Sequence, residues 1–331
     1  MAQTALITGG SGFIGFHLAR RLCREGYVID LVDNFSRGVV DPELQELLNA
    51  RNVRLIRMDV LDASAYSQLR LDYDYVYHCA AIIGVANVLS RPYAVLADNV
   101  KMLFALLGHC RKIAMLKRFI FPSTSEVYAG TLQYFELPIP TPESTPLAVT
   151  DLAHPRTSYM LSKIYGEALC RHSGVPFTII RPHNVYGPRM GMSHVVPELL
   201  KKAYDAPVGG QIEVASILHR RTFCYIDDAV EQIRRVAESS ECEGLALNIG
   251  NQTPEMSIGE MADVIVKTVG KPLHVIALPE TSGSPTRRCP DMRETILRTG
   301  YPARWDVESG VKATFDWYRE KIFISHENSA V

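Results

Sequence analysis

The 331-residue chain is 47% hydrophobic and 21% charged, the balance of an ordinary globular protein long enough for one large core or two joined ones. Its formal net charge of −1 supplies no long-range field for nucleic acid or an anionic membrane surface. No apolar run approaches the ~18 residues that span a bilayer, no basic, apolar leader pattern opens the chain, and the seven cysteines are scattered without metal or redox spacing, so a metal-free cytoplasmic protein with reduced thiols is expected.

Ala5-Leu6-Ile7 reads as a short buried strand. The run Thr8-Gly9-Gly10-Ser11-Gly12-Phe13-Ile14-Gly15 follows it directly and leads into an amphipathic helix over Phe13–Cys23. Strand, glycine-rich turn and helix in that order form a dinucleotide fingerprint. Gly9 permits the turn, Gly12 lets a pyrophosphate approach the backbone, and Gly15 lets the helix pack close to the strand. Free N–H groups at the helix start and its positive dipole end favour the anion. A second strand over Val28–Val32 ends on Asp33, at the spacing of the carboxylate that binds the adenosine ribose hydroxyls. A carboxylate there repels a 2′-phosphate, so NAD is favoured over NADP, although Arg37 stands nearby.

Further strands are predicted at Val53–Ile56, Tyr75–His78, Arg118–Phe121 and Phe177–Ile180, with a helix over Pro92–Cys110. This alternation predicts an α/β protein with a doubly wound parallel sheet. All strand C-terminal ends then share the edge where ligands bind. The segment from Gly130 to Pro155 is rich in proline, lacks periodicity and is expected to be a lid or an interface loop. Beyond Arg181 the pattern mixes helices (Val195–Tyr204, Asp228–Glu238, Ile258–Val269) with short strands such as Ala246–Ile249. Residues 1–182 are expected to form the dinucleotide-binding domain and 183–331 mainly a smaller α/β substrate domain.

Tyr159 and Lys163 stand four residues apart, on one face of a helix that starts near Pro155. A fixed ammonium favours the phenolate, which can then take a proton from a hydroxyl as hydride leaves the same carbon. With its neighbours the pair resembles the extended short-chain dehydrogenase/reductases, specifically the NAD-dependent nucleotide-sugar epimerase/dehydratase family. The marks are TGGSGFIG (8–15), Asp33-Asn34, Asp59-Val60, HCAA (78–81), Asn99, STSEVY (123–128), YMLSK (159–163), RPHNVYGPR (181–189), RRTFCYIDD (220–228), NIGN (248–251) and RRCPD (287–291).

The resemblance implies a Rossmann domain carrying NAD, a second domain carrying a nucleotide diphospho-sugar, and a homodimer built on Pro92–Cys110 and Arg156–His172. The cofactor would be bound by Gly9, Gly12, Phe13, Ile14, Gly15, Asp33, Asn34, Asp59, Val60, Ala80, Ala81, Asn99, Tyr159 and Lys163. Tyr159 would be the base, assisted by Lys163 and by the hydroxyl of Thr124. Asn184 would touch the sugar nucleotide, while Arg221 and Arg288 are the arginines for its diphosphate. Met102, Leu103, Leu106 and Leu107 are candidates for a second apolar face at the dimer.

Members share oxidation of the sugar at C4. An epimerase then returns hydride to the other face, which is the expectation for this chain. Glu126 opens two alternatives, 4,6-dehydration with the carboxylate as a base, or decarboxylation of a glucuronate, in which an arginine near Arg288 would receive the substrate carboxylate. A non-catalytic NAD sensor would tend to lose the tyrosine or lysine, and both are present. His183 departs from the apolar residue of many relatives, with cofactor tuning, donation to the sugar and plain packing as its readings.

Overall fold

The protein is described by a computed structural model over residues 2–280 and 285–324. Seven strands pair in parallel into one sheet: β1 (Thr4–Thr8), β2 (Val28–Asp33), β3 (Val53–Arg57), β4 (Tyr75–His78), β5 (Arg118–Pro122), β6 (Phe177–Pro182) and β7 (Ala246–Ile249). Their order across the sheet is β7-β6-β5-β4-β1-β2-β3. The direction of winding reverses between β1 and β4, which opens a crevice above those two strands.

The strands are near-continuous apolar runs because both faces are covered. Successive side chains point to opposite layers. Leu6, Val76 and Phe119 face one core with α2 (Pro92–Cys110) and α3 (Thr157–His172). Ile7, Tyr77 and Ile120 face the other, with α1 (Phe13–Arg24) and α4 (Ile226–Glu238). Among the described residues no helix is long and apolar enough to cross a membrane, and no cluster of three metal-ligating side chains occurs.

Three expectations change. Ala246–Ile249 is not part of a separate second unit. It is the edge strand of the central sheet, with Leu247 beside Ile180. An apolar four-residue strand carries no mark of which sheet will accept it. Secondly, the segment after Gly130, expected to be a lid or an interface loop, is tied to the body of the protein in this structure. It begins as a short helix (Ala129–Tyr134), and Thr141 exchanges backbone bonds with Cys289 and Asp291 while the Glu143 carbonyl accepts from Arg181. Thirdly, Met102, Leu103, Leu106 and Leu107 are all buried in their own subunit's core. The apolar surface left on this helix pair is instead Tyr93, Phe104 and Tyr165.

Short strands of the second half build the far wall of the cleft. Arg220–Thr222 pairs antiparallel with Glu255–Ser257 and parallel with Arg287–Arg288, which sets Arg221 beside Arg288.

Candidate active site

The glycine turn links β1 to α1 at the crevice. Gly9 adopts φ +68°, and a Cβ there would lie 2.7 Å from the Ala80 nitrogen. A Cβ on Gly15 would strike the Gly9 carbonyl oxygen. The turn is therefore closed to side chains and open to a ligand that needs backbone. Gly12 caps α1 without a side-chain bond, and no acid stands in the first turn, so the N–H groups of Phe13 and Ile14 meet no anion of the protein's own. The hydroxyl of Ser11 is buried there without a partner. A backbone cradle with an orphaned hydroxyl fits a dinucleotide diphosphate.

Asp33 ends β2, where its carboxylate accepts from the N–H groups of Ser11 (3.0 Å) and Phe35 (2.8 Å). Each oxygen keeps a further lone pair for a ribose hydroxyl. Asn34 donates to Asp59 at 2.9 Å, and Val60 follows at the end of β3. Ala80 and Ala81 follow β4, with the Ala80 N–H on the Thr8 hydroxyl. Asn99 is engaged differently. Its amide holds both backbone groups of Ile82, at 2.7 and 3.1 Å, so it shapes the loop that carries Ala80 and Ala81.

Thr124 and Glu126 lie just past β5, and Tyr159 and Lys163 on α3 face them. Thr124 Oγ1 caps the turn by accepting from the Glu126 N–H, and its side chain stands near the Tyr159 phenol. Burial pushes the phenol's pKa well up and the Glu126 carboxylate adds to this, while the Thr124 hydroxyl and Arg37 pull it back. Burial also lowers the Lys163 ammonium to about 8. Its Nζ donates to the Pro122 carbonyl at 2.7 Å and lies 5.8 Å from the Tyr159 ring centre.

Glu126 meets Arg288 across the cleft at 2.8 Å, and this cation holds its carboxyl below the ordinary range. Arg221, two positions before Phe223, is largely buried and donates to the carbonyls of Arg220 and Pro285, and burial lowers it to about 10. Asn184 sits at φ +41° with its amide donating to the Thr222 carbonyl at 2.9 Å. The candidates thus fall into a cofactor group at the ends of β1–β4 and a substrate group between β5 and the short strands opposite.

Beside them runs a buried polar chain that no spacing in the sequence announced. Glu167 holds Arg181 through two bonds (2.7 and 2.9 Å). Arg181 donates to the Tyr128 hydroxyl at 2.7 Å, and Tyr128 donates to Asn248 Oδ1 at 3.1 Å. Asn248 also meets His183 at 3.0 Å, and Glu143 accepts from the Asn248 backbone at 2.8 Å. Tyr128, Arg181 and Asn248 all lie within recognised motifs. The signal available was that such polar residues sit at the ends of buried strands.

With this geometry the chain's likenesses are informative. It is 31% identical over 97% of its length, and 99% of the partner's, to a UDP-N-acetyl-alpha-D-glucosaminuronate decarboxylase of Bacillus cytotoxicus. It is 29% identical to UDP-glucuronic acid decarboxylase 1 of Xenopus tropicalis over 96% of this chain and 72% of that one. Among solved structures, the UDP-glucose 4-epimerase of Thermotoga maritima with UDP-glucose superposes at TM-score 0.82 with 26% identity, covering 97% of this chain and 100% of the other. The Bacillus cereus UDP-glucuronic acid 4-epimerase with UDP-glucuronic acid and NAD gives 0.77 and 25%, covering 96% and 99%. Residues 5–250 match the NAD dependent epimerase/dehydratase family, and the chain, an NAD-dependent enzyme on a Rossmann-type sheet, belongs to that family.

Proposed function

We propose that this enzyme oxidises the sugar of a nucleotide diphospho-sugar at C4 and returns the hydride as an epimerase. The observation that carries the reading is the convergence of Thr124, Tyr159 and Lys163 at the open end of β5, beside the glycine cradle. NAD supplies the hydride acceptor, and its pyridinium charge favours the phenolate. Tyr159 takes the hydroxyl proton, Thr124 orients the phenol and the sugar oxygen, and Lys163 provides the nearby ammonium. The cofactor would be held by Gly9, Gly12, Phe13, Ile14, Gly15, Asp33, Asn34, Asp59, Val60, Ala80 and Ala81. Asn99 holds the loop beneath it. Asn184, Arg221 and Arg288 face the sugar nucleotide. Epimerisation asks for nothing further from the protein except room to turn the keto sugar.

One observation favours a second reading. Glu126 and Arg288 form an ion pair at the sugar end of the cleft. A uronate carboxylate entering there would compete for the Arg288 fork and release Glu126, an arrangement suited to decarboxylation. The decarboxylase names of the curated relatives support it. Chromatography that resolves diastereomers, coupled to mass spectrometry, after incubation with UDP-glucose and UDP-glucuronate decides. An epimer of unchanged mass supports the first reading, loss of carbon dioxide the second, and unaltered substrates in both cases overturn the pair.

A homodimer through α2 and α3 is part of the proposal. Tyr93, Phe104 and Tyr165 provide exposed apolar surface on that helix pair. A monomeric mass in solution would rule it out.

A further inference from the structure

His183 is 1% exposed, and its Nδ1 has no hydrogen-bond partner. The ring lines a cavity with Ser125, Tyr128, Ala129, Thr141 and Arg288, on the sugar side of the cleft. A buried nitrogen without a partner is rare in a native protein and calls for a reason.

The surrounding bonds determine which kind of partner it lacks. Asn248 Nδ2 faces two backbone carbonyls, those of Thr141 (3.0 Å) and Asp291 (3.1 Å). Carbonyls only accept, so that end of the amide is the NH2 and the other end is the oxygen. Asn248 Oδ1 therefore accepts from both neighbours that reach it. One is the Tyr128 hydroxyl, which donates there because an amide oxygen has no hydrogen to give. The other is His183 Nε2, at 3.0 Å. Nε2 thus carries the hydrogen. Burial and the Arg288 cation push the imidazole's pKa down to about 3, so the ring is neutral. A neutral imidazole with hydrogen on Nε2 presents a bare lone pair at Nδ1.

We infer that His183 Nδ1 is a hydrogen-bond acceptor for a donor on the substrate's sugar, a hydroxyl or an amide N–H, and that it helps decide which sugars the site takes. This rests on the nucleotide-sugar reading above. Of the three readings that the sequence leaves open for His183, it sets aside donation to the sugar, since the ring's one N–H is committed to Asn248. A site built to pair a donor discriminates against an analogue that lacks it, because the buried acceptor is then left empty.

The test is calorimetric titration of NAD-loaded wild type and His183→Phe with UDP, UDP-glucose, and UDP-glucose carrying fluorine in place of each sugar hydroxyl in turn. Phenylalanine fills the ring's volume, and Tyr128 still satisfies Asn248 Oδ1, so the variant keeps the fold. Both proteins are expected to bind UDP equally. The variant binds UDP-glucose roughly three- to tenfold more weakly, the loss of one neutral hydrogen bond. One fluoro substitution costs the wild type a similar factor and the variant nothing. Equal binding of UDP-glucose by the two proteins, or equal losses at every fluorinated position, overturns the proposal. Wild type that binds none of UDP, GDP, CDP and dTDP or their glucose conjugates sinks the nucleotide-sugar reading, and this inference with it.

Discussion

Arg288 Nη2 lies 2.8 Å from Glu126 Oε1, joining a turn after β5 to a short strand 162 residues further along the chain. The pair bridges the two sides of the cleft. Glu126 keeps 45% of its side-chain surface and Arg288 18%, so both still face the space a substrate would enter. Arg288→Leu is expected to reduce turnover of a uronate substrate at least tenfold more than that of its neutral counterpart, since an arginine fork is matched to carboxylate. Parallel kcat/KM measurements on the two substrates check this, and equal losses would refute it.

The same pair has a signature in stability. Arg288 lowers the Glu126 carboxyl in the folded state, so the stabilisation is complete above the carboxyl's ordinary value and disappears as pH falls through the lowered one. Glu126→Gln should therefore melt below wild type at neutral pH and converge with it in acid. Melting temperatures across pH provide the check, and a constant gap at all pH values would contradict the assignment.

Tyr159→Phe is expected to reduce turnover by ~10²–10⁴-fold, the range for a positioned proton acceptor. NAD binding should survive, because the glycine cradle and Asp33 are untouched. Glu126→Gln, in contrast, removes a negative charge that raises the phenol's pKa. The acidic limb of its kcat/KM profile should move to lower pH. An upward move would be inconsistent with the charge arrangement described above.

Lys163 is 5% exposed, and burial disfavours its charge. A lowered ammonium pKa makes the folded state less proton-binding than the unfolded one, so this group costs stability at neutral pH and ceases to as pH rises past the unfolded value. Lys163→Met should be inactive yet melt at or above the wild-type temperature at pH ~7, since a long apolar chain replaces a desolvated cation. A marked fall in melting temperature would mean that its bond to the Pro122 carbonyl outweighs the burial cost.

Asp33 accepts two backbone N–H groups and still offers lone pairs to a ribose. Asp33→Asn removes the charge that repels a 2′-phosphate, while exposed Arg37 remains close by. NAD should bind about tenfold more weakly, and the preference over NADP should narrow. Fluorescence titration with both cofactors tests this, and an undiminished preference would exclude Asp33 as the discriminating group.

Local chemistry was legible in the chain alone. Gly9, Gly12 and Gly15 behind an apolar strand prescribe a tight turn because only glycine tolerates Gly9's φ and the contact at Gly15. Tyr159 and Lys163 share a helix face by period alone. These arrangements are local, and a spacing in the sequence maps directly onto a distance in space.

Tertiary structure decided what depends on remote partners. Glu143 and Asn248 stand 105 residues apart, yet their bond ties the segment after Gly130 to an edge strand of the central sheet. Ala246–Ile249 looked like any short strand until β6 accepted it. Met102 and Leu103 turned inward because the sheet, rather than a second subunit, lay nearest their face of α2. His183 became an acceptor only because Asn248 is oriented by two distant carbonyls. Hydrogen-bond direction and burial belong to the assembled surroundings, so residue type by itself leaves them open.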